Sequence, residues 1–173
     1  MKLQKIWIVV LAIIVIAMAF ALKFRMKTYK SDEYGFSFKY RATYIEKYNK
    51  DLLCLFKNNS TGIEISATAR KDTGELLKTL TQIGEGFVNL LKIYKENYTI
   101  EIVSNETITI SDGVEAQKVV AETTTTDNEK MREVAVLIPA EGREITIVFF
   151  GAKDEISKNE NEINKVIKSI KIY

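Results

Sequence analysis

The sequence predicts an α+β domain in which an antiparallel β-sheet is sandwiched by helices, preceded by a transmembrane helix. Three observations predict it. Apolar residues recur at period two in segments at both ends of residues 32–173. They recur at spacings of three and four in one central and one closing stretch. Before all of this they run without interruption from residue 6 to 22. Period two marks half-buried strands, and spacings of three and four mark helices with one buried stripe.

The first element is the uninterrupted run, IWIVVLAIIVIAMAFAL, bounded by Lys5 and Lys23. As a helix its 17 residues extend about 26 Å, close to the ~30 Å hydrocarbon core of a bilayer, and flanking lysines snorkel to the headgroups. The run reads as an anchor following a short tail, residues 1–5. The alternative is a cleavable signal peptide, with AMA or AFA at its end as small-x-small sites. Lys5, Lys23, Arg25 and Lys27 flank the membrane, and residues 23–31 form a basic linker. Counted strictly, the bases after the run would keep the domain inside. Short N-terminal segments of this design act as export signals, however, and four N-x-S/T sequons, at Asn58, Asn59, Asn97 and Asn105, point outward too. The expected location is a single-pass protein of the cell membrane with an extracytoplasmic C-terminal domain. Its expected partners are the lipid bilayer and a membrane or cell-surface protein complex.

The domain, 32–173, opens with Tyr34, Phe36, Phe38 and Tyr40 on one face of a first strand. DLLCLFK (51–57) and GIEISATAR (62–70) are the next strands, joined by the turn residues NNSTG. A helix is expected over about 73–95, with Leu76, Leu80, Ile83, Phe87, Leu90 or Leu91, and Tyr94 as its stripe and Asp72 with Glu75 as a capping box. Gly84 and Gly86 weaken its middle and mark a kink or a close approach to the sheet. A meander follows: TIEIV, TITI, the hairpin dipeptide Asp112-Gly113, VEAQKVVAETTTT, a turn at TDNEK, REVAVLI, a turn at Pro139–Gly142, and REITIVFF. A closing helix over about 154–168 buries Ile156, Ile163, Val166 and Ile167, and SIKIY ends the chain as a short edge strand.

Composition narrows function. All six bases before position 31 lie in the N-terminal segment, so residues 31–173 carry 19 bases against 23 acids. That net negative charge argues against a nucleic-acid partner, which calls for a basic face. The chain has no histidine and one cysteine, Cys54. Histidine-dependent triads and Cys–His dyads are therefore excluded, and no intramolecular disulfide can form. Cys54 sits in an apolar run and reads as an inert core thiol. Asp127 and Glu129 in a turn, and Asp154 and Glu155 at a helix start, are the acidic groups best placed for a cation, but their spacing fits a turn and a helix cap better than a calcium loop. No catalytic residue and no cofactor is expected. Tyr34 and Tyr40 belong to the core face, while Tyr44 and Tyr48 are expected to be more open.

The opening YGFSFKYRATY (34–44) and the ending ITIVFFGAKDEISKNENEINKVIKSIKI (145–172) resemble the PsbP-like family. Arg41 stands where that family commonly has proline. The resemblance implies an α/β/α sandwich and a binding or assembly role without catalysis. Two other readings stay open beside it. One is a carboxylate-dependent hydrolase of surface polymers, which needs two carboxylates about 5–10 Å apart in a cleft. The other is a small-ligand-binding sensor or transport accessory, which needs a pocket of several hundred Å³.

Overall fold

The computed structural model describes residues 11, 13–15, 25–47, 52–71, 80–94 and 98–173. Leu11 and Ile13–Val15 are helical and exposed. The rest of the apolar run lies outside the described residues, and among those described no helix is long and apolar enough to cross a membrane.

Two antiparallel sheets organise the domain. The smaller has the order β1 (Met26–Ser31), β2 (Phe36–Arg41), β10 (Lys171–Ile172). The larger has seven strands: β3 (Tyr44–Lys47), β4 (Cys54–Asn58), β5 (Glu64–Lys71), β9 (Arg143–Ala152), β8 (Lys130–Ala140), β7 (Glu115–Thr124) and β6 (Thr99–Thr109). Among the described residues of the domain there are also three α-helices: α1 (Leu80–Tyr94), α2 (Lys153–Lys158) and α3 (Glu160–Lys168). The small sheet and α2–α3 lie on one face of the large sheet, and α1 packs across β6, β7 and β8 on the other.

The alternation of the aromatic segment is expressed as expected. Phe36, Phe38 and Tyr40 are buried, while Ser37, Lys39 and Arg41 face the opposite way. This segment is the second strand rather than the first. Met26–Ser31, within the stretch read as a linker, pairs with it from Met26↔Arg41 to Ser31↔Phe36. The physical reason is Tyr29, whose ring lies 5.4–5.8 Å from those of Phe36, Phe38 and Phe56 and draws the basic segment into the fold. The expected layer of helices is thus partly replaced by a small sheet.

Other differences are local. TIEIV and TITI form one strand, β6, with a register shift between Ile102 and Ser104 that leaves Val103 as a bulge. The closing helix breaks at Asn159, whose side chain donates to the Glu155 carbonyl at 2.8 Å, yet Ile156, Ile163, Val166 and Ile167 are all buried. The Asp112-Gly113 turn takes positive φ at both residues, 61° and 78°, which suits its dipeptide. The capping box at Asp72 and Glu75 and the stripe residue Leu76 lie outside the described residues.

Candidate functional site

Among the described residues a cleft of about 530 Å³ lies between α1 and the large sheet. Its floor follows from strand register. Leu137 pairs with Thr146 and Thr146 with Thr68, one row across β8, β9 and β5; in the next row Arg70 faces Glu144. These positions alternate with Ile145, Ile147 and Ala67, which face the core, so the face beneath α1 is the more polar one.

The wall is α1. Ile83, with Val119 and Leu137, forms a small buried cluster on which Phe87 and Val88 rest. Gly84 permits that seating. A Cβ there would lie 2.5 Å from Asn105 Oδ1 and 2.8 Å from Gln117 Cγ, so the helix approaches β6 and β7 more closely than a side chain allows. The buried Gln117 amide beneath it is satisfied on both sides: Nε2 donates to Asn105 Oδ1 at 2.6 Å and Thr107 Oγ1 donates to Oε1 at 3.1 Å. Gly86 meets open space at the cleft, and Leu90, in its lining, is 45% exposed. Of the alternatives Gly84 and Gly86 raised, close approach holds at Gly84.

The cleft can hold an apolar group against Phe87 and Leu90 while Thr68, Thr146 and the Arg70–Glu144 ion pair, 2.8 Å long, offer hydrogen bonds at its edge. Glu144 is the one carboxylate among its described lining residues.

The residues singled out from sequence are scattered. Asp127 and Glu129 are exposed in the β7–β8 turn, where Glu129 N donates to Thr125 Oγ1 at 3.0 Å. Asp154 and Glu155 sit in the first turn of α2, and Glu155 accepts from Lys158 at 3.0 Å. Among the described residues no three acidic or thiol groups gather as a metal site. Of the sequons, Asn58 is buried, with Oδ1 accepting from Ser60; Asn59 and Asn105 are exposed; Asn97 lies outside the described residues. Arg25 and Lys27 are exposed at the start of β1, and Lys5 and Lys23 lie outside the described residues.

Cys54 is buried in the core, and burial pushes its thiol pKa up to about 12, which leaves it protonated and unreactive. Tyr44 is not open: only 3% of it is exposed, and burial raises its phenol well above the ordinary range. It lies close to the ion pair of Arg41 Nε with Glu162 Oε2, 2.9 Å apart. Glu162 Oε1 is buried without a hydrogen-bond partner, and desolvation raises this carboxyl despite the opposing pull of Arg41. Tyr48 lies outside the described residues.

Sequence reasoning missed a second polar cluster. Glu122 accepts from Lys153 at 2.5 Å and from Arg132, whose Nη1 also donates to Ser157 at 3.0 Å. Hydrogen bonding from Lys153, with Arg132 assisting, lowers the Glu122 pKa. Nothing local in the sequence marks it, since β7, β8 and α2 meet only in the fold.

Neither a protein-family model nor a curated protein matches this sequence. Solved structures share its architecture. Cyanobacterial PsbP (CyanoP) from Synechocystis sp. PCC 6803 superposes with a TM-score of 0.72 at 18% identity, covering 86% of this chain and 92% of that one. LpqN, involved in cell envelope biogenesis of Mycobacterium tuberculosis, gives 0.61 at 12% identity, with 86% and 90% covered. The Ran-binding protein Mog1p of Saccharomyces cerevisiae gives 0.59 at 9% identity, with 86% and 96% covered. The chain has the PsbP-like α+β fold.

Proposed function

We propose that this chain is a membrane-anchored binding module that works outside the cytoplasm and supports the assembly or operation of a membrane or cell-surface complex. The cleft beneath α1 carries the reading. It combines open space of ligand-binding size, an exposed apolar rim at Leu90 and a few polar groups for orientation. The names of proteins with this fold support a binding role: one is Ran-binding, one is PsbP and one is involved in envelope biogenesis. The apolar run 6–22, its flanking bases and the exposed helical residues Leu11 and Ile13–Val15 support the anchor. The exposed sequon at Asn59 fits an exported domain.

Binding fits the cleft better than two-carboxylate hydrolysis, because Glu144 is tied to Arg70 and has no described carboxylate beside it in the lining. The cleft volume also keeps a small-ligand accessory role as the second reading. Affinity purification of the full-length protein from its own membranes, wild type beside Leu90→Asp, tests the proposal. The expected result is a discrete set of co-purifying proteins lost from the variant. Recovery of the protein alone from both, with a small molecule in the wild-type eluate, selects the second reading; recovery of nothing else at all contradicts both.

A further inference from the structure

The outer face of the small sheet carries a charge pattern that the domain as a whole does not. Its outward positions hold Lys30, Lys39, Arg41 and Lys171, and strands β1, β2 and β10 contain no acidic residue, although residues 31–173 are net negative. Register sets the positions. Lys30 pairs with Ser37 and Ser37 with Lys171, Thr28 pairs with Lys39, and Met26 with Arg41. These residues share one parity, opposite to the buried Phe36, Phe38 and Tyr40. The face is thus three rows of bases, threonine and serine, with Met26, 41% exposed, at one corner.

Acidic partners stand at its margins, and Arg41, at the end of the face nearest the apolar run, is held by Glu162 of α3 at 2.9 Å. Asp32, in the β1–β2 turn, meets Lys30 at 2.6 Å, and Asp112 meets Lys171 at 3.8 Å. Both are highly exposed and lie at the end of the face where β1 finishes. Lys39 is exposed in the middle row, and Lys27, which pairs with Tyr40 and so takes the other parity, is exposed on β1 beside the face.

We propose that this face lies flat on an anionic lipid bilayer, so that the domain rests on the membrane by its small sheet and presents α1 and the cleft away from it. The inference rests on the anchor reading of residues 6–22. Only residues 23–25 separate the apolar run from Met26, so β1 starts within about 14 Å of the hydrocarbon edge. That is comparable to the ~8–10 Å Debye length over which bases feel anionic headgroups. A basic sheet face tethered so closely is held at high effective concentration against the surface. Each lysine near such a surface strengthens association about five-fold. The two separate core clusters place α1 on the opposite side of the large sheet from the small one, so lying flat leaves the cleft open.

The test uses the full chain in phosphatidylcholine vesicles and in mixed phosphatidylcholine–phosphatidylglycerol vesicles. A fluorophore on Ser37→Cys, in the row farthest from the anchor, reports distance to labelled headgroups; Cys54 is buried and stays unlabelled. An upright domain holds this position on the order of 25 Å from the hydrocarbon edge. We expect strong energy transfer in mixed vesicles, weak transfer in phosphatidylcholine alone, and loss of the difference in molar salt or with Lys30→Glu, Lys39→Glu and Lys171→Glu combined. Carbonate extraction decides the anchor separately. A chain released by carbonate overturns the anchor and the proposal with it. A chain that stays inserted, with equal transfer in both vesicles, overturns the flat face alone and points to an acidic protein as its occupant.

Discussion

The face of the large sheet that meets the small sheet and α2–α3 buries a continuous core in which Phe36, Phe38, Phe56 and Phe149 are inaccessible and Tyr40 stacks on Phe56 at 4.2 Å. The face beneath α1 has a buried cluster of three residues, Ile83, Val119 and Leu137, then a polar floor and open space. Both faces belong to the same strands. Alternation gives β9 Ile145, Ile147 and Phe149 on the first and Glu144, Thr146 and Val148 on the second. Stability therefore resides on the first face, while among the described residues the second buries much less and carries the cleft proposed to bind.

The largest test of that contrast is Phe38→Ala, which removes a ring packed against Tyr29, Tyr40 and Phe56 and should cost about 3–5 kcal/mol in chemical denaturation of the domain. A loss below 1 kcal/mol would mean that the aromatic face does not hold the fold. Gly84→Val comes next. It places a branched side chain where Asn105 and Gln117 already stand, so α1 must lift, at about 1–3 kcal/mol, and the cleft changes shape. Leu90→Asp, on the exposed rim, should change stability by no more than ~0.5 kcal/mol while abolishing what the cleft binds.

The smallest effects are electrostatic and opposite in sign. Glu162 has its folded pKa raised above the unfolded value, so its contribution is favourable at low pH and is lost as pH rises through the folded pKa. Glu162→Gln should therefore be relatively most stable at neutral pH, with its advantage over wild type shrinking as pH falls toward 4. Glu122 has its folded pKa lowered, so its contribution is present above the unfolded value and is lost as pH falls through the folded one. Glu122→Gln should melt lower than wild type at neutral pH and converge with it in acid. Thermal melts across pH check both; parallel curves would show that neither carboxyl is coupled to folding.

The first face was legible in the sequence because it obeys local periodicity. Phe36, Phe38 and Tyr40 alternate, and Ile156, Ile163, Val166 and Ile167 keep one stripe across the break at Asn159. The resemblance of residues 34–44 and 145–172 to PsbP-like proteins rested on that face and is matched by the fold. Less was legible where partners are distant in sequence. Tyr29 enters the core from a segment whose lysines read as a linker, and Tyr44 is buried beside Glu162, 118 positions away in a helix. The cleft left only a faint sign, the choice between Leu90 and Leu91 for one stripe. Leu91 is buried and Leu90 faces the opening, so the ambiguity recorded a helix wider in apolar surface than its seat.

The division between a structural and a binding face is tested most directly by a photo-crosslinking residue placed at Leu90 in the full-length protein in its native membrane, beside the same residue at Glu129 in the exposed β7–β8 turn. A binding cleft gives a discrete adduct from position 90 that is absent from position 129 and is suppressed by Gly84→Val. Equal labelling from both positions, or an adduct from 129 alone, would place the partner elsewhere and contradict the assignment of the α1 face.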